Sequence, residues 1–139
     1  MTMSETDADR RAANLAVFEA VLATITAGEY ERLGEFMTDD LHFELPYGQQ
    51  FLPEPTTTLE AWNGMQRMTF RLFSEFRIGL DRAHEGNDPD ELIAEYRSDA
   101  VVARNGNAYR NRYVGFLRFR DGRICAWREY HDPAATSVL

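Results

Sequence analysis

Apolar residues recur along this chain first at helical spacing and then at alternate positions. Leu15, Phe18, Leu22 and Ile25 fall every three or four residues, which predicts an amphipathic helix. Asp7 or Asp9 would cap it, and it would run to about Ala27, where Gly28 ends it. A short helix is expected over about residues 30–36, then a strand over 41–45 that Pro46-Tyr47-Gly48 breaks. Residues 46–57 hold three prolines and read as a loop over one end of the domain. Thr58, with Glu60 and Trp62 after it, opens a third helix to about Phe73, whose apolar stripe is Trp62, Met65, Met68, Thr69 and Leu72. Beyond it the period falls to two. Residues 76–84, 91–102, 108–120 and 123–132 alternate as strands, separated by turns at Gly86-Asn-Asp-Pro89, Arg104-Asn-Gly-Asn107 and Asp121-Gly122. The last dipeptide is a strong signal for a tight hairpin.

Helices first and an antiparallel sheet behind them make an α+β domain. The pattern suits three N-terminal helices packed on a curved, mostly antiparallel sheet, with a conical cavity between the sheet and the long helix. A chain of 139 residues fits one such domain. Its expected extent is 10–133, with a frayed tail over 1–9 and a short C-terminal tail over 134–139.

Charge narrows the function classes. The net charge of −8 argues against nucleic acid, which needs a basic footprint. All fifteen basic residues are Arg and none is Lys, which removes Schiff-base chemistry and a P-loop lysine. No apolar run approaches the roughly 20 residues of a membrane span. The polar, acidic N-terminus lacks the apolar stretch of a signal peptide, so a cytoplasmic location is expected. Cys125 is the only cysteine, and a small buried apolar role is expected of it.

The terminal strand carries the candidate chemistry. One face reads Cys125, Trp127, Glu129, His131; the other reads Ile124, Ala126, Arg128, Tyr130. If the first face is the buried one, Glu129 sits among aromatic side chains, and loss of hydration raises its pKa toward the range useful for proton transfer. The alternative is an edge-facing Glu129 paired with an Arg. His131 would sit nearer the mouth, relaying protons or holding a substrate oxygen, or else bonding a backbone carbonyl. Tyr109, Asn111 and Tyr113 point the same way as Leu117 and Phe119, and their polar tips suit a pocket for a small, largely apolar ligand. Tyr96 belongs to the same class. Trp62 and Met65 are either further lining or plain core, and Tyr47 stands at the break beside the mouth. Parity puts Glu44 outside.

Other chemistry lacks a motif. His42 and His84 have no partner at ligand spacing, and there is no HxxxH, calcium loop, GxSxG or Gly-rich phosphate loop. Neither a metal nor a cofactor is expected. On the opposite face of the penultimate strand, Val114 and Phe116 are flanked by Arg110, Arg112, Arg118 and Arg120, with Glu95 and Arg97 alongside. An apolar centre with a polar rim suits an interface, here a homodimer through the sheet.

Thr38-Asp-Asp-Leu-His-Phe-Glu-Leu-Pro-Tyr-Gly48, Tyr109-Arg-Asn-Arg-Tyr113, Arg120-Asp-Gly-Arg-Ile124 and Arg128-Glu-Tyr-His-Asp-Pro133, in that order of elements, resemble an NTF2-like domain of the SnoaL and ketosteroid-isomerase type. The resemblance covers roughly residues 10–133 and implies the cone-shaped fold. Positions that hold the base and the oxyanion-hole groups in steroid isomerases are Leu45, Val21 and Gly115 here. The terminal motif is similar to that of phenazine-biosynthesis members, whose acid–base Glu corresponds to Glu129; Asp132 stands where they have Asn. The resemblance thus implies a cofactor-independent isomerase, cyclase or dehydratase acting on a hydrophobic metabolite. The alternative is a non-catalytic dimeric ligand-binding module of the same fold.

Overall fold

A computed structural model describes residues 6–139 of the chain. Helix α1 spans Asp7–Ala27. Its cap is Thr6 rather than Asp7 or Asp9: the Thr6 side chain accepts from the Asp9 N–H, and the Asp9 carboxylate accepts from the Thr6 N–H, a reciprocal capping box. Gly28, at φ 74°, turns the chain out of the helix and donates back to Ile25 and Thr24. The expected frayed tail therefore divides. Residues 1–5 lie outside the described residues, and 7–9 are the helix's first turn.

A 3-10 turn, Tyr30–Glu35, leads into strand β1, Met37–Glu44. Helix α2, Leu59–Phe70, is capped by Thr58 through the Ala61 N–H. Strands β2 (Phe73–Glu85), β3 (Glu91–Val102), β4 (Ala108–Arg120) and β5 (Arg123–His131) follow. The three expected helices are thus two α-helices and one 3-10 turn, and α2 comes after the first strand. Met68, placed on the apolar stripe of α2, is 71% exposed. This short helix covers the sheet only with the side that carries Leu59, Trp62 and Met65.

The sheet order is β1-β5-β4-β3-β2, antiparallel except for the parallel β1–β5 pair. Asp121 and Gly122, both at positive φ, make the expected tight turn between β4 and β5. Alternation then fails once. Arg118 pairs with Ala126 but Phe119 with Ile124, so Cys125 is an extra residue on β5. This bulge brings Ile124 to the core beside Trp127 and leaves Cys125 only half-buried, its thiol on the Arg118 carbonyl. The inward face of β5 is Ile124, Trp127, Glu129 and His131, not Cys125.

The main core lies between the sheet and α1, which buries Phe18, Val21, Leu22 and Ile25 against Leu41, Phe43, Tyr96, Leu117 and Trp127. A second cluster forms where β3 and β4 end, around Ala100, Val102 and Tyr109. The expected C-terminal tail is part of it. Residues Pro133–Val138 form a 3-10 segment, started by Asp132 accepting from the Ala134 N–H with Pro133 in the first turn. Ala135, Val138 and Leu139 pack on the cluster.

Candidate active site

Between the two clusters the sheet, α2 and the C-terminal segment shape a partly open chamber of about 160 Å³. Its walls are mostly apolar and rich in aromatic rings, among them Phe43, Trp62, Phe70, Phe76, Tyr109, Tyr113 and Trp127. Glu129, His131, Gln66, Thr69 and Thr136 supply the polar atoms. The loop after β1 is held over one end by a two-bond bridge between Phe43 and Thr56.

Glu129 reaches this chamber because β5 resumes strict alternation after its bulge. Among the described residues no Arg pairs with it. Its Oε1 accepts a 2.5 Å hydrogen bond from the Tyr96 hydroxyl, whose oxygen accepts from Trp127 Nε1 at 2.9 Å. Glu129 is half-buried and borders the chamber. Burial raises its pKa from 4.5 to about 7, and the Tyr96 bond opposes that rise. Tyr96 is held well above its ordinary pKa by burial first and by the Glu129 charge second, so it stays a phenol and donates.

The route of Tyr96 to Glu129 passes over a missing side chain. Tyr96 belongs to β3, Glu129 to β5, and Gly115 lies between them on β4, paired with Glu129. A Cβ at Gly115 would stand 3.0 Å from the Tyr96 hydroxyl and 3.1 Å from Trp127 Nε1. A glycine inside a strand marks such close approach. Tyr113 stacks on Tyr96 with ring centres 5.1 Å apart, and its hydroxyl lies 2.7 Å from Ser98 Oγ. Burial raises the Tyr113 pKa too.

His131 borders the chamber beside Gly48, where a Cβ would come within 2.9 Å of its Cε1. Burial lowers its pKa, and its Nδ1 is buried without a protein partner. The alternative expected of His131, a bond to a backbone carbonyl, is not found among the described residues. Trp62 Nε1, too, is buried with no partner among the described residues.

The candidates picked from sequence fall into three groups. Glu129, His131, Tyr113, Trp127, Trp62 and Met65 line the chamber together. Tyr96 lies one layer behind, fully buried and in contact with Glu129. Asn111 and Tyr47 are elsewhere. Asn111 is buried with its amide on Tyr109 and on the backbone N–H and C=O of Asp132, which ties down the C-terminal segment. Tyr47 is 61% exposed and packs edge-on against Tyr130, whose position on β5 alternates outward. Sequence reasoning missed Phe70, Phe76, Thr136 and Leu139 as lining; the Asp132-Pro133 pair was the available signal for an ordered segment there.

Comparison with known proteins bears on the family and the fold. A family model described as the SnoaL-like domain matches residues 18–127. An uncharacterised PhzA/B-like protein of Pseudomonas aeruginosa is 36% identical over 66 residues, 45% of this chain and 47% of the relative. The chain spans half or less of the length of the curated relatives it matches. Among solved structures, TerC co-crystallised with polyporic acid superimposes with a TM-score of 0.78 at 15% identity, covering 91% of this chain and 97% of that one. An epoxide hydrolase from M. tuberculosis, described as LEH-like, gives 0.70 at 18% identity, covering 89% and 86%. At such identities these structures share the fold.

Proposed function

The chain belongs to the SnoaL-like domain family, and from that premise we propose that it is a cofactor-independent small-molecule enzyme of the isomerase, cyclase or dehydratase type. Glu129 moves the proton, and the substrate is a hydrophobic metabolite. The single observation that carries this reading is a carboxyl with a pKa of about 7 facing an aromatic chamber. Such a group is half ionised near neutrality, so it can take a proton from one substrate atom and return it to another. Tyr113 and His131 would hold or polarise the substrate oxygen, and Trp127 and Trp62 would wall its ring.

Epoxide hydrolysis, named for one structural neighbour, draws little support here. An acid–Arg–acid set around a water is wanted, whereas the described lining offers one carboxylate and no Arg. A rival reading, a pocket that binds without turnover, is favoured by Val21, Leu45 and Gly115 at positions where steroid isomerases carry their chemistry. Exchange of the α-protons of cyclohexanone with deuterated water separates the two. The wild type is expected to accelerate exchange, and Glu129→Gln, which keeps shape and removes the titrating group, to lower that rate by roughly 10²–10⁴-fold. Equal rates in the two proteins would remove Glu129 from the chemistry.

A homodimer through the outer sheet face belongs to the same proposal. Support comes from Phe116, 37% exposed, with the Arg128 guanidinium 4.9 Å over its ring and Tyr130 edge-on beside it. Sedimentation should give a dimer mass for the wild type and a shift toward monomer for Phe116→Arg; a monomeric wild type ends the idea.

A further inference from the structure

Resting on the acid–base reading above, we infer that the chamber takes a neutral ligand with a single ring bearing a hydrogen-bond-accepting oxygen, and that Leu139, with Phe51 and Leu72, is the wall that sets this limit. Size comes first. The chamber measures about 160 Å³, and an apolar cavity of about 150 Å³ holds one benzene ring. Pockets for drug-sized ligands run to roughly 300–1,000 Å³. Two fused rings exceed the space as it stands.

Charge comes second. The described lining contains no Arg, and its only ionisable side chains besides tyrosines are Glu129 and His131. Burial holds His131 toward its neutral form and Glu129 toward its protonated form. An anion would therefore enter dry surroundings with no cation to meet it, beside a carboxyl, at a large desolvation cost. A cation likewise loses its hydration on entering these apolar walls, a loss that one carboxyl offsets only in part.

The oxygen follows from Glu129, whose carboxyl borders the chamber and in its protonated form donates to a ligand oxygen that accepts. Trp62 Nε1 also lacks a partner among the described residues, but Trp62 is fully buried and keeps no surface toward the chamber, so a ligand in it does not reach that N–H.

The wall is a shared one. Phe51, Leu72 and Leu139 border the chamber on one side and a second cleft of about 570 Å³ on the other, where Arg71, Val102, Ala103 and Arg104 continue the lining. Leu139 is held there by the 3-10 segment, which Asn111 and the second core cluster anchor. Trimming the Leu139 side chain joins the two spaces and admits a longer ligand.

Calorimetric titration with phenol, 2-naphthol and benzoate at pH 8 tests this. Wild type should bind phenol at least tenfold more tightly than 2-naphthol, and benzoate more weakly than phenol by a similar factor. Leu139→Ala should swing the naphthol-to-phenol ratio at least tenfold toward naphthol. Leu72→Ala, at a half-exposed position on the same wall, should do the same if the Leu139 variant folds poorly. Equal binding of phenol and 2-naphthol by the wild type overturns the size limit. A ratio unmoved by both variants overturns the wall, and benzoate binding as tightly as phenol overturns the charge selection. If no probe binds, the ligand class is wrong, while proton exchange in the Glu129→Gln comparison still judges the acid–base reading on its own.

Discussion

The Tyr96 hydroxyl lies 2.5 Å from Glu129 Oε1 and donates to it, while its oxygen takes the Trp127 indole N–H at 2.9 Å. Burial and this bond act on the Glu129 pKa in opposite directions, burial raising it to about 7 and Tyr96 pulling it down. Tyr96→Phe should therefore move the Glu129 titration above that of the wild type, read from its carboxyl carbon by NMR. The variant also leaves Trp127 Nε1 without its acceptor, a loss of about 1–3 kcal/mol in stability. A titration that does not move upward would mean the bond is absent in solution.

Glu129 also links stability to pH. Its folded pKa of about 7 exceeds the ordinary 4.5, so the folded state holds the proton more tightly than the unfolded one. The resulting advantage is fully present below pH 4.5 and is lost as pH rises to about 7. The full change is about 3 kcal/mol. Denaturant titrations should show wild-type stability falling across that window, with Glu129→Gln flatter through it and more stable than wild type above pH 7. Parallel profiles for the two proteins would show that the carboxyl is well hydrated.

Much of this site was legible because strand alternation is a strong constraint. The Asp121-Gly122 turn fixed the hairpin, and parity on β5 put Trp127, Glu129 and His131 on one inward face. Parity misplaced Cys125 because alternation cannot register an extra residue, and nothing in the local sequence distinguishes the bulge. Tyr47 was misjudged because a Pro-Tyr-Gly break says where a strand stops, not toward which side the tyrosine turns. The Tyr96–Glu129 bond joins residues 33 positions apart on non-adjacent strands. Only Gly115, a glycine in mid-strand, hinted at it.

Asn111 was expected to meet the ligand, and its observed partners assign it a different consequence. Its side chain bonds both the N–H and the C=O of Asp132, at 2.9 and 3.1 Å. Asn111→Ala strips both partners from that backbone and should cost about 1–3 kcal/mol. Amide hydrogen exchange should speed up selectively over residues 133–139, while β3 and β4 keep their protection. Uniform acceleration across the sheet would show that Asn111 supports the whole core rather than the C-terminal segment.

Gly115→Ala isolates the geometry behind the carboxyl without touching any polar group. The added methyl meets Tyr96 Cε1 and Oη at 3.0 Å and Trp127 Nε1 at 3.1 Å. Neither ring has an easy retreat, since Tyr96 is stacked on Tyr113 and edge-on to Phe18, and Trp127 is edge-on to Phe18 and Phe43. Overpacking of this kind costs about 1–3 kcal/mol. As the rings give way, the Tyr96 bond to Glu129 lengthens, so the Glu129 titration should move upward, as in Tyr96→Phe. Because both changes act through one bond, the double variant should shift the titration by less than the two single shifts together. Full additivity, or a Gly115→Ala protein with wild-type stability and titration, would show that the strand accommodates a side chain there and that Tyr96 reaches Glu129 without needing the gap.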